Sequence, residues 1–133
     1  MLQFFLITLC IFVIPQVQCF QNKQITASGS IQCQGKPAAG VKVELLEQDA
    51  FKDDHQIQGR SDEAGHFSLS AKDWDWTALR PFVFVYHKCN ADGACVRTRL
   101  TMNKSQEDVI SQDFGAIELS IPKFPTNSSE SCD

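Results

Sequence analysis

The chain reads as an all-β protein, a β-sandwich of about seven strands with at most one short helical turn. Three observations predict it. Short runs of apolar/polar alternation recur at even spacing, with Gly, Pro, Asn and Asp clusters between them. No helical apolar period is sustained beyond two turns. The stretch from Cys33 to Leu45 passes from a Gly/Pro-punctuated turn straight into strict alternation, as a strand does when it enters one layer of a sandwich.

Taken in order, Ile25 to Gln34 is the first strand, with Ala27, Gly29, Ile31 and Cys33 on one face. In the second, Val41, Val43 and Leu45 point inward while Lys42 and Glu44 point out. Residues 49–56 are polar and acidic, a loop. Ile57–Ser61 and His66–Ser70 are expected as a hairpin around Asp62-Glu63-Ala64-Gly65, with Gly65 at positive φ. Ser70 and Asp73 are spaced to cap one helical turn through about Ala78. Trp74 and Trp76, two apart, cannot share a helix face, and one is expected against the sandwich edge. Phe82 to Tyr86 is apolar on both faces, as a central strand should be, and Cys95 to Asn103 is its partner. Phe114 to Ile121 closes the domain with Ile117, Leu119 and Ile121 inward, and Pro122 ends it. Residues 123–133 form a polar tail, held only if Cys132 is bridged.

The segments Cys33 to Leu45, Ser61-Asp62-Glu63-Ala64-Gly65-His66-Phe67 and Tyr86-His87-Lys88-Cys89 together resemble the nematode transthyretin-like family of small secreted proteins. The resemblance runs over about residues 25–122. It implies a transthyretin-like, immunoglobulin-like sandwich in an extracellular setting.

Residues 1–19 read as a secretory signal peptide. Leu2 to Ile14 is apolar almost throughout and uncharged, too short to span a bilayer and suited to a signal h-region. Val17 and Cys19 place cleavage before Phe20, leaving a domain over residues 20–122 and the tail. Nothing later is apolar enough to cross a membrane, so a secreted, soluble protein of the extracellular space or cell surface is expected. Cleavage leaves Cys33, Cys89, Cys95 and Cys132, an even set that implies a disulfide framework with three possible pairings. Their scatter lacks the C-x₂-C pairs of structural zinc, so no metal and no cofactor are expected. Register favours Cys89–Cys95 and Cys33–Cys132. If Cys89 faces Cys95, then Phe82, Phe84 and Tyr86 face Met102, Leu100 and Thr98, and the large apolar side chains share one buried face. Asn103-Lys104-Ser105 and Asn127-Ser128-Ser129 are N-glycosylation sequons in polar, loop-like surroundings.

The net charge of −4 argues against nucleic-acid binding. Hydrolases of 5-hydroxyisourate that share the wider transthyretin fold use a first-strand His, a central Arg, a second His and a C-terminal Tyr-Arg-Gly-Ser. This chain has no His between residues 20 and 54 and ends Ser-Glu-Ser-Cys-Asp, and His55, His66 and His87 stand singly. No catalytic residue is assigned, and the hydrolase ranks third. A carrier of a small apolar ligand in a transthyretin-like oligomer needs an apolar outer face, whereas Lys42, Glu44, Arg97 and Arg99 are charged; it ranks second. The favoured reading is an extracellular binding module that acts as a signal, bridge or cell-surface recognition protein. Its partner is an extracellular protein or an anionic cell-surface ligand. The same register that pairs Cys89 with Cys95 puts His87 opposite Arg97 and Val85 opposite Arg99, so His87, Arg97 and Arg99 are the expected anion-recognising patch.

Overall fold

The computed structural model describes residues 23–47, 57–73, 81–103 and 109–133. Every regular element among them is a strand: β1 (Lys23–Cys33), β2 (Lys36–Pro37), β3 (Lys42–Glu47), β4 (Ile57–Arg60), β5 (His66–Asp73), β6 (Pro81–His87), β7 (Val96–Thr101), β8 (Val109–Glu118) and β9 (Thr126–Ser128). They form two sheets packed face to face. In the first, β1 runs antiparallel to β2 and β5 and parallel to β8. The second has the order β4-β3-β6-β7-β9 and is antiparallel throughout. The all-β sandwich expected from the sequence is the fold. The short β2 and β9 raise the strand number above seven.

The core lies between the sheets. Ile25, Ala27 and Ile31 of β1 and Ile117 of β8 meet Val43 and Leu45 of β3, Val83 and Val85 of β6, and Leu100 of β7, all fully or almost fully buried. Burying each larger aliphatic side chain stabilises the fold by roughly 1.5–3 kcal/mol. β1 and β3 present the faces expected of them. Ile121 does not: it is 59% exposed, because β8 ends at Glu118 and the chain turns away before reaching it.

Three local expectations are corrected. Ile57–Arg60 and His66–Asp73 are not a hairpin. β4 pairs with β3 and β5 with β1, so the turn between them carries the chain from one sheet to the other. Its conformation is nevertheless the expected one, with Gly65 at φ 82° and the Asp62 carboxylate accepting from the Ala64 and His66 amides. Secondly, Ser70 to Asp73 is not a helix cap but the end of β5, paired with Lys23 to Thr26. Burial decides this, since Leu69 and Ala71 enter the core at strand spacing. Trp74 and Trp76, the 49–56 loop and the expected signal peptide lie outside the described residues.

The third correction concerns register and disulfides. β6 and β7 pair Phe82↔Thr101, Val83↔Leu100, Phe84↔Arg99, Val85↔Thr98, Tyr86↔Arg97 and His87↔Val96, one residue away from the expected alignment. A one-residue slip sends one strand's side chains to the opposite face, here those of β6. The slim Val83 and Val85 therefore fill the core with Leu100, and Phe82, Phe84 and Tyr86 face outward. With His87↔Val96 as the last pair, Cys89 and Cys95 sit in the connecting loop, where Asn90, Asp92 and Gly93 all take positive φ. Neither bridges the other. Cys33, at the end of β1, joins Cys89 (Cα–Cα 5.9 Å) and so ties the first sheet to the second. Cys95 joins Cys132 (Cα–Cα 5.6 Å) and anchors the tail, within which β9 pairs with β7.

Candidate functional site

The outer face of the second sheet is built in cross-strand rows. Backbone pairing sets Arg60, Lys42, Tyr86, Arg97 and Asn127 side by side across all five strands. The next row holds Gln58, Glu44, Phe84 and Arg99, and beyond it lie Leu46 and Phe82. Alternation makes this face inevitable once Val43, Val83 and Leu100 point inward.

Here cations lie on aromatic rings. Lys42 Nζ is 4.9 Å from the Tyr86 ring centroid, Arg97 Cζ 4.3 Å from Phe84 and Arg99 Cζ 4.1 Å from Phe82. Each arginine leans diagonally onto the ring two residues along β6 from its backbone partner. The rings themselves meet edge-on, Phe82 with Phe84 at 5.0 Å and Phe84 with Tyr86 at 6.0 Å. Such contacts contribute about 0.5–1 kcal/mol each, and they hold the charged heads in fixed positions above an apolar bed. Glu44 is buried beneath, accepting from the Tyr86 hydroxyl (3.1 Å) and from the Gln58 amide (2.8 Å). Burial first, and then the Glu44 charge, raise the Tyr86 phenol above its ordinary value, with Arg97 opposing them. The tail reaches this face too, where Lys42 Nζ donates to the Asp133 main-chain oxygen (3.2 Å).

Arg97 and Arg99 thus share one face, as expected. His87 does not join them. It points inward, 6% exposed, in the wall of a cleft of about 390 Å³ at one end of the sandwich. Asn90, Glu118, Leu119, Phe124 and Thr126 also line that cleft. The Cys89 amide donates to His87 Nδ1 (3.1 Å), which leaves the ring proton on Nε2. Nε2–H then donates to Thr98 Oγ1 (2.8 Å), and the Thr98 hydroxyl to Thr126 Oγ1 (2.9 Å). At the rim the Glu118 carboxylate accepts from the Gln34, Gly35 and Ser120 amides, which hold it below the usual carboxylate range and latch the β1–β2 turn to the end of β8.

Burial lowers the His87 pKa from its ordinary value. The folded protein therefore binds fewer protons than the unfolded chain just below pH 6.5, so this contribution to stability is complete above that pH and falls as pH drops. The expected slope is up to about 1.4 kcal/mol per pH unit. Urea unfolding of the wild type and His87→Gln at pH 7.5 and pH 5 tests it. The wild type should lose more stability than the variant on acidification, and equal losses would move the effect to other groups.

Lys42 and Arg60 are not among the residues that the sequence assigns to the patch. Only the register across β4, β3 and β6 brings them into line with Arg97. Asn127, expected in a loop, lies exposed in the edge strand β9. Asn103 is exposed just past the far end of β7. Among the described residues, no three His, Cys, Asp or Glu side chains gather where they could hold a metal ion.

Comparison with known proteins locates this architecture. A family model described as the Transthyretin-like family (TTR-52) matches residues 28–103. Transthyretin-like protein 2 of Caenorhabditis elegans is 37% identical over 120 residues, covering 79% of this chain and 80% of the relative. Transthyretin-like protein 1 of the same nematode is 34% identical over 76 residues, covering 51% and 49%. Among solved structures, the dioxygenase domain of a dioxygenase carbohydrate-binding protein fusion from Streptomyces sp. SirexAA-E matches with a TM-score of 0.46 at 16% identity, over 74% of this chain and 82% of that one. That likeness is too loose to bear on function.

Proposed function

This chain belongs to the transthyretin-like family, and from that premise we propose that it is a secreted extracellular binding module, without catalytic activity, that recognises an anionic cell-surface ligand through the outer face of its second sheet. The observation that carries the reading is the row Arg60, Lys42, Tyr86 and Arg97, with Arg99 in the row behind. It concentrates positive charge on one face of a chain whose net charge is −4. Arginines held over aromatic rings carry their charged heads at set places on this face, and a guanidinium suits phosphate or carboxylate groups. Secretion is supported by the apolar leader and by two disulfides, which persist in oxidising compartments.

The test is an Arg97→Ala/Arg99→Ala variant against vesicles of phosphatidylcholine with and without 30% phosphatidylglycerol, across a salt series. The expected outcome is a loss of about tenfold or more at low salt, equivalent to ~1.4 kcal/mol, with a shallower salt dependence. Unchanged binding by a folded variant would move recognition to the loops.

The carrier reading has one observation in its favour, the largely apolar cleft beside His87. Stoichiometric uptake of a lipophilic dye, blocked by a bulky substitution at Thr126, would support it over the module.

A further inference from the structure

The register of the edge strand assigns a role to one of the two sequons. In β9, Thr126 is exposed but bonds the buried Thr98 on the inner side of the sheet, so Asn127 lies on the outer side, and its backbone partner is Arg97. Asn127 therefore closes the cationic row at its β9 end, in the plane of the proposed recognition face. We propose that an N-glycan on Asn127 shields the Arg97 end of this face, so that occupancy of the Asn127-Ser128-Ser129 sequon sets how accessible the arginine–aromatic row is to an anionic surface. The proposal rests on the reading of that face as the recognition surface.

The chemistry is steric and electrostatic. A glycan attached at Asn127 Nδ2 is bulky, neutral at its core and hydrated, and it starts one strand from the Arg97 backbone, whose guanidinium lies over Phe84 on the β6 side, within the sweep of so large a group. Across the sheet, Lys42 and Arg60 lie two and three strands further on, so shielding grades along the row. The second sequon serves as an internal control. Asn103 is exposed beyond the opposite end of β7, away from the Arg60–Asn127 row. Its glycan would leave Arg97 open. A sugar on β9 would also stand beside the unpaired edge of a three-residue strand, where a foreign strand could otherwise add.

The experiment uses full-length protein secreted from a glycosylating cell, as wild type, Ser129→Ala and Asn103→Gln. Ser129→Ala removes the sequon and keeps Asn127 itself. Site-resolved mass spectrometry first establishes occupancy. Phenylglyoxal labelling then reads the exposure of Arg97, with Arg60 at the far end of the row as reference. The expected result is a several-fold faster labelling of Arg97 in Ser129→Ala, little change at Arg60, and no change in Asn103→Gln. Binding to the same anionic vesicles should strengthen several-fold in Ser129→Ala alone. Absence of glycan from Asn127, or equal Arg97 labelling in glycosylated wild type and Ser129→Ala, would overturn the proposal. If Arg97 is unmasked but neither form binds vesicles, the shield stands and the anion-recognition reading falls.

Discussion

Replacing Cys33 and Cys89 by alanine is expected to lower stability by about 4 kcal/mol in the chain-entropy model. The bridge spans a sequence separation of 56 and ties the end of β1 to the loop that follows β6. In the unfolded chain it forbids most of the separations those two points would otherwise explore. In the folded chain it fixes the Cys89 amide, the donor that holds His87 Nδ1. Losses of this size remove a large part of the roughly 5–15 kcal/mol that typically holds a domain together. Urea unfolding under non-reducing conditions measures the loss. Peptide mapping of the wild type should give Cys33–Cys89 and Cys95–Cys132, and a Cys89–Cys95 peptide would overturn the connectivity. The Cys95–Cys132 bridge, with a separation of 37, should count for nearly as much by chain entropy. Its native contacts are fewer, because it anchors only β9 and the tail.

Gly65→Ala is expected to cost about 3 kcal/mol. Part of this is conformational, since φ is 82° and a left-handed residue with a Cβ costs about 1–2 kcal/mol. The rest is a collision. A Cβ at Gly65 would lie 2.4 Å from the Ile31 carbonyl oxygen. That oxygen accepts from the Ala38 amide (2.9 Å), while the Ile31 amide donates to the Gly65 carbonyl (2.8 Å), so the backbone cannot yield without losing pairing at the end of β1. Gly35→Ala is the control. It has φ 74° but nothing within 4 Å of an added Cβ, so it should show the conformational part alone, about 1 kcal/mol. Equal losses in the two variants would remove the collision from the account.

The inner faces of β1 and β3 are legible in the amino-acid order, because each sets apolar residues against polar or small ones at every second position. β6 is not, for the opposite reason. Pro81-Phe82-Val83-Phe84-Val85-Tyr86 is apolar at every position, so alternation cannot say which half enters the core. Ring volume suggests the phenylalanines. The sandwich takes the valines, and the rings find cover under Lys42, Arg97 and Arg99. That one shift of register has several consequences. It takes His87 off the outer cationic face, separates Cys89 from Cys95, and aligns Lys42 and Arg60 with Arg97.

Local chemistry alone determines the all-β class, the turn at Asp62–Gly65, the alternating faces and the membership that three short segments signal. These depend on spacing within a few residues, which the chain carries in its own order. Disulfide partners, the sheet to which β4 and β5 each belong, the inward turn of His87 and the cationic row are set by contacts between residues far apart in sequence. The inward turn of His87 and the cationic row follow from a choice between two faces of β6 of nearly equal hydrophobicity, which packing between the sheets makes. The partners of β4, β5 and the cysteines follow instead from the path of the chain between the two sheets.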